Sequence, residues 1–157
     1  VFMSMSPLYL QEVLGFSPDL LGFSMSAFLL AGSISSLLVG RSSDRTGRTS
    51  IAIIGLIGGG ISAIFLAIST NGVQAFLALL TTGLFMLSIR PVAIAMTLEQ
   101  IDSSEITVLG LISTFSEGIA AIGALIGGMI ANVNLGYAIL FSASTSILSG
   151  LILFRKK

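Results

Sequence analysis

Residues 50–69 read SIAIIGLIGGGISAIFLAIS and contain no charged side chain. A run of about 20 apolar residues crosses the roughly 30 Å hydrocarbon core of a bilayer as an α-helix, because each residue adds about 1.5 Å. Further runs of this kind lie at residues 20–39, 74–98, 106–131 and 136–154. They are continuously apolar and too long for strands, so the sequence predicts an all-α membrane protein.

Residues 1–15 predict a sixth, partial span. The stretch is mostly apolar, begins with Val1 and has no basic leader. We expect the first part of this span to lie upstream, so that the chain is a fragment of a longer protein, and we expect Pro7 to bend the helix. The connectors between spans carry helix-cap residues, among them Ser17 before Pro18, and the capping-box spacing of residues 102–105.

The composition supports a membrane protein and excludes several kinds of chemistry. Hydrophobic residues make up 54% of the 157 positions and charged residues only 9%, whereas a soluble domain carries roughly 25% charged residues. The chain has no Cys and no His, which excludes disulfides, thiol nucleophiles, common zinc sites and histidine acid–base catalysis. It also has no phosphate-binding GxxxxGK(S/T) loop. We therefore expect no enzyme, no cofactor and no metal, and the balanced charge gives no reason to expect nucleic acid.

The basic residues predict the orientation in the membrane. All Lys and Arg residues except Arg90 lie in two segments, 40–49 and 155–157, and the alternation of spans puts both on one side. Cytoplasmic segments of membrane proteins carry an excess of Lys and Arg, so we expect both segments in the cytoplasm of a cell-membrane protein. The acidic connector 99–105 falls on the same side. This does not conflict with the excess of Lys and Arg there, because acidic residues contribute little to membrane orientation.

Residues 40–49 read GRSSDRTGRT and connect two predicted spans. The segment resembles the signature loop of the major facilitator superfamily, which has Gly, three variable residues, Asp-Arg, one variable residue, Gly-Arg and often a further base. The matching residues are Gly40, Asp44, Arg45, Gly47 and Arg48, and Thr49 stands in place of the final base. The alternative interpretation is an ordinary basic cytoplasmic loop with turn residues.

The resemblance implies a gating role for this loop. Gly47 would permit a tight turn and Gly40 a close helix approach. Asp44 would accept hydrogen bonds from a helix N-terminus and pair with an arginine.

The resemblance also implies which part of a transporter the chain represents. Residues 7–17 resemble the junction after the seventh helix of multidrug-efflux members, and Arg90-Pro91 resembles the tenth helix. Residues 1–157 would then be one half-bundle, helices seven (partial) to twelve of a twelve-helix bundle, built from two inverted three-helix repeats. The alternative is a truncated N-terminal half, with Arg90 as the arginine that the family often carries on its fourth helix.

Two charged residues, Arg90 and Glu117, lie within predicted spans. They are eight and eleven residues from the inner ends of their helices, which corresponds to depths of roughly 12 and 16 Å. We expect the two side chains to lie within reach of each other. A charge at this depth is costly and points to function. Glu117 would either carry a proton or serve as a structural partner of Arg90; Arg90 would contact substrate, take part in coupling or extend to the headgroups.

Small residues surround Glu117 and predict close packing or a cavity wall. The face that carries Glu117 has small residues at Gly110, Ser113, Ala120, Ala121, Ala124, Gly128 and Ala131. We expect helix contacts at Gly118, Gly123, Gly127 and Gly128. Residues 118–128 also resemble the family's antiporter motif, with Ala124 at the proline position. A second stripe, Ser26, Ser33 and Ser36, predicts either a helix seam or a cavity lining.

The predicted function is secondary active transport of a small molecule by alternating access. The resemblance favours proton-coupled efflux of drug-like compounds. The alternatives are an uptake permease for a sugar, organic acid or other metabolite, and a membrane scaffold that transports nothing. The expected partners are the lipid bilayer, the other half of the transporter, the substrate and protons.

Overall fold

The computed structural model describes residues 1–98 and 105–155, and the long elements in these ranges are all α-helices. In chain order they are α1 Phe2–Glu12, α2 Pro18–Thr46, α3 Arg48–Ala67, α4 Gly72–Leu98, α5 Glu105–Ala131 and α6 Leu135–Arg155. Helices α2 to α6 each contain a stretch that is long and apolar enough to cross a membrane. The described residues form no strand, and the prediction of an all-α membrane protein is confirmed.

Local signals in the sequence determine where helices begin. The Ser17 hydroxyl accepts a hydrogen bond from the Leu20 N–H at 3.3 Å, and Pro18 is the first residue of α2. At the start of α4, the side-chain oxygen of Asn71 accepts from the Gln74 N–H at 2.9 Å. Each of these contacts satisfies an amide that has no partner within its own helix. The capping box expected at residues 102–105 lies outside the described side chains.

Helix α2 is longer than the sequence predicts. The expected span ended at residue 39, with a loop over residues 40–49, but the helix continues to Thr46 and only Gly47 separates it from α3. Residues 40–46 contain no proline, so nothing in their backbone interrupts the helical hydrogen bonds. The interruption comes at Gly47, whose φ of 88° is readily adopted only by glycine. The signature segment is therefore mainly helical, and its turn is one residue long.

Helices α2, α4, α3 and α6 form the packed part of the bundle. Helix α4 packs on both α2 and α3, and α3 packs on both α4 and α6. Glycines permit the close approach: a Cβ at Gly83 would lie 2.5 Å from the Phe28 carbonyl oxygen, and one at Gly60 would lie 2.9 Å from that of Ala143. The largest fully buried apolar side chains are Leu10, Phe28, Leu66, Leu79 and Ile139.

Helix α5 is much less covered than the others. Only 6% of the residues in its apolar window are buried, and its contacts are mainly with α6. Its exposed side chains include Phe115, Ile119, Leu125 and Met129. Among the described residues, no other helix covers the face of α5 that carries Glu117 and the small residues. Its predicted role in close helix packing or a cavity wall stays a prediction.

Candidate functional site

Arg90 and Glu117 form an ion pair between α4 and α5. The Arg90 Nη2 atom donates to the Glu117 Oε1 atom at 3.3 Å. Both residues lie inside the apolar windows Gly72–Thr97 and Gly110–Ala131. The structure thus brings together the two side chains that the sequence placed at similar depth.

The pair is open to its surroundings rather than enclosed by this chain. The exposed fractions of the two side chains are 74% for Arg90 and 70% for Glu117. The distance of 3.3 Å is longer than the roughly 2.7–2.9 Å of a tight charge-assisted hydrogen bond. A guanidinium has five N–H donors, so Arg90 keeps donors for another acceptor while it holds Glu117. Arg90 can therefore hold Glu117 and a second acceptor group at the same time.

A groove of about 410 Å³ begins at Arg90 and runs between α4 and α6. Leu56 of α3 lines it together with Met86 and Ile89 of α4, which form an apolar wall beside Arg90. Hydroxyl groups of α6 form the opposite wall, at Ser142, Thr145, Ser146 and Ser149. This wall was not predicted from the sequence, although hydroxyl residues at spacings of three and four in residues 136–154 are a signal for it.

Comparison with known proteins identifies the family. A family model of the Major Facilitator Superfamily matches residues 1–157. This chain belongs to the major facilitator superfamily. It is also 30% identical over 122 residues to puromycin resistance protein pur8 of Streptomyces alboniger, an alignment that covers 76% of this chain and 24% of that protein. The chain thus spans about a quarter of the length of this relative.

The signature segment of this major facilitator chain has a clear backbone arrangement. Gly47 forms the turn, and Arg48 is the first residue of α3. A Cβ at Gly40 would meet no described atom within 4 Å, so among the described residues no other helix approaches closely there. The side chains of Asp44 and Arg45 lie outside the described part of the structure, and the pairing expected for Asp44 remains a prediction.

The four glycines of α5 that were expected at helix contacts divide into two pairs. Gly123 and Gly127 face Val1, the residue before α1, and a Cβ at these positions would lie 3.5 Å and 2.7 Å from its atoms. At Gly118 and Gly128 a Cβ would meet nothing within 4 Å. In a major facilitator half-bundle, small residues on an uncovered helix face leave room for a close neighbour.

The serine stripe of α2 is divided in a similar way. The Ser36 hydroxyl donates to the Gly32 carbonyl at 2.8 Å and to the Leu87 carbonyl of α4 at 3.3 Å, so this residue lies in a helix seam. Ser26 and Ser33 are exposed, and the Ser33 hydroxyl donates to its own helix at the Leu29 carbonyl. Part of the stripe is a seam, and the rest lies on an uncovered face.

Proposed function

We propose that this chain is part of a secondary transporter that exports amphipathic small molecules in exchange for protons, and that Glu117 binds the coupled proton. The observation that carries the proposal is the Arg90–Glu117 ion pair between two membrane-length helices. Charged side chains are rare at this depth and mark ion and substrate pathways in membrane proteins. The similarity to a puromycin resistance protein supports export of amphipathic compounds over uptake of a metabolite.

The ion pair links protonation to helix position. With Glu117 ionised, its carboxylate neutralises Arg90 and joins α5 to α4, two helices with few other contacts. Protonation removes the negative charge and leaves Arg90 uncompensated, which is costly in a low-dielectric environment. Helix α5 is then free to move relative to α4, or Arg90 binds a substrate acceptor. When Glu117 loses its proton on the other side of the membrane, the ion pair with Arg90 forms again.

The single-residue turn at Gly47 supports a rigid-body movement on the side that carries the basic residues. Because only one residue separates α2 from α3, the two helices have little freedom to move independently at that end. We infer that residues 40–49 and the C-terminus lie in the cytoplasm, from the excess of arginine and lysine there. The uncovered face of α5, with Gly118 and Gly128, would contact the other half of the transporter.

The test is the variant Glu117→Gln in the full-length transporter that contains this chain. Proteoliposomes under an imposed pH gradient, with puromycin as the first test compound, should show loss of proton-driven transport and of substrate-induced proton flux. The matched control is Glu12→Gln, which removes an exposed carboxylate at the end of α1. Normal membrane insertion of both variants shows that the loss is not a folding defect. If Glu117→Gln retains proton-driven transport, Glu117 is not the proton-binding group.

A further inference from the structure

The hydroxyl wall of the groove presents hydrogen-bond acceptors. The Ser142 hydroxyl donates to the Ile139 carbonyl at 2.8 Å and that of Thr145 to the Ser142 carbonyl at 2.9 Å. The Ser146 hydroxyl donates to the Leu56 carbonyl at 2.8 Å, and that of Ser149 to the Thr145 carbonyl at 2.8 Å. A hydroxyl has one proton and two lone pairs, so each group that has donated its proton still offers lone pairs.

The remaining walls complement these acceptors. Leu56, Met86 and Ile89 offer an apolar surface, and Arg90 supplies N–H donors at one position. A volume of about 410 Å³ lies within the range of small-molecule sites, roughly 300–1,000 Å³. The groove therefore suits a compact, flat compound with N–H or O–H donors on one edge and an acceptor elsewhere.

The groove also lies at a depth that amphipathic compounds reach. Arg90 is eight residues before the end of α4 at Leu98, and Ser149 is six residues before the end of α6 at Arg155. These spacings correspond to about 12 and 9 Å from helix ends on the same side of the bundle. Compounds that partition into the adjacent leaflet would reach the groove from the lipid.

We propose that the groove between α4 and α6 is a binding subsite for neutral amphipathic compounds that carry N–H or O–H donors. The hydroxyl oxygens of Thr145 and Ser149 accept from the ligand's donors, Met86 and Ile89 contact its apolar surface, and Arg90 donates to a ligand carbonyl. The physiological meaning of this subsite rests on the proposed export function, but its binding chemistry does not depend on proton coupling.

The experiment compares two neutral fluorescent probes, 7-amino-4-methylcoumarin and its 7-dimethylamino analogue. They share a ring system and a carbonyl, and only the first has N–H donors. Binding to the purified full-length protein is followed by fluorescence titration. We expect the wild-type protein to bind the amino compound roughly threefold to tenfold more tightly, as one or two hydrogen bonds would produce.

The variants Thr145→Val and Ser149→Ala, singly and together, test the acceptor wall. Each should reduce the preference for the amino compound, and the double variant should abolish it. The matched control is Ser144→Ala. The Ser144 hydroxyl makes the same kind of bond, to the Phe141 carbonyl at 2.9 Å, but it lines a separate groove on another side of α6. This variant should keep the wild-type preference.

Three results would overturn the subsite: neither probe binds, the wild-type protein binds both equally, or the double variant keeps the preference. If the double variant does not fold, the two single variants decide the question in the same way. The outcome is independent of the proton-coupling test. Loss of preference in the variants together with normal proton coupling supports both proposals. A wild-type preference that the variants lose, with no proton coupling in the wild-type protein, removes only the export mechanism.

Discussion

Helices α3 and α5 are both long, apolar and rich in glycine, yet they occupy opposite situations in the bundle. In α3, 44% of the residues in the apolar window are buried, compared with 6% in α5. The glycines of α3 receive side chains from α4 and α6, whereas Gly118 and Gly128 of α5 face open space. Helix α5 carries the charge of Glu117 in the middle of its membrane-length stretch, whereas the charge of α3 is at its first residue, Arg48. The comparison separates an enclosed scaffold helix from a helix whose faces other described helices leave largely uncovered.

The largest expected effect tests whether the glycines of α3 are structural. Gly60→Leu should remove most of the folded protein, because even a Cβ there would lie 2.5 Å from the Ile147 side chain. Overpacking of this kind typically costs about 1–3 kcal/mol, and more where backbone stands in the way. The measurement is folded yield by size-exclusion chromatography in detergent.

The control in α5 is Gly128→Leu, where a Cβ meets nothing within 4 Å. This variant should fold with near-normal yield, even if transport by the full-length protein falls. Equal yields for Gly60→Leu and Gly128→Leu would remove the distinction between scaffold and partner-facing helices.

The next effect concerns the link that holds α5 to α4. Arg90→Glu and Glu117→Arg, made singly, each place two like charges at the pair and should abolish transport. The double variant, with the charges exchanged, should recover folded yield because opposite charges again face each other. It should not recover proton-driven transport, since the carboxylate has moved to α4. Recovery of transport in the exchanged pair would mean that the pair is only structural.

A smaller effect is expected at the turn that joins α2 to the scaffold helix α3. Gly47→Ala forces a side chain into a backbone conformation with φ 88°, which costs on the order of 1–3 kcal/mol. The control is Gly40→Ala, in a helical position where a Cβ meets nothing within 4 Å and alanine is the better helix former. Thermal unfolding should show a lower midpoint for Gly47→Ala only. Equal midpoints would argue against a strict glycine requirement at this turn.

The smallest effect tests a single hydrogen bond between α6 and α3. Ser146→Ala removes the donor to the Leu56 carbonyl and should lower stability by about 0.5–1.5 kcal/mol. Ser144→Ala removes only a bond within α6 and should change stability less. The difference between the two thermal midpoints measures how much this polar contact adds to the scaffold. A larger loss of thermal stability for Ser144→Ala than for Ser146→Ala would contradict a stabilising role of the bond between α6 and α3.

Several features were predictable because their causes are local. The Ser17 cap and Pro18 determine the start of α2, and the tight turn expected at Gly47 has the positive φ that glycine readily adopts. That Arg90 and Glu117 come within reach of each other was also predictable, since counting residues from helix ends places both at similar depth on consecutive helices. The structure decided that they form an ion pair. In contrast, the extension of α2 through residues 40–46 was missed, because polar and charged residues suggest a loop although nothing in them prevents a helix.

The amino-acid sequence by itself determined that the chain forms apolar helices of membrane length, because lipid requires every backbone amide to be satisfied within its own segment. It also determined the family signature and the depth of the two charges. Only the tertiary structure decided which helix faces are covered: α3 is enclosed, α5 is not, and the hydroxyls of α6 meet Arg90 across a groove. The physical reason is that apolar and small residues satisfy lipid, helix and cavity contacts almost equally well, so their partners are selected by packing between distant segments.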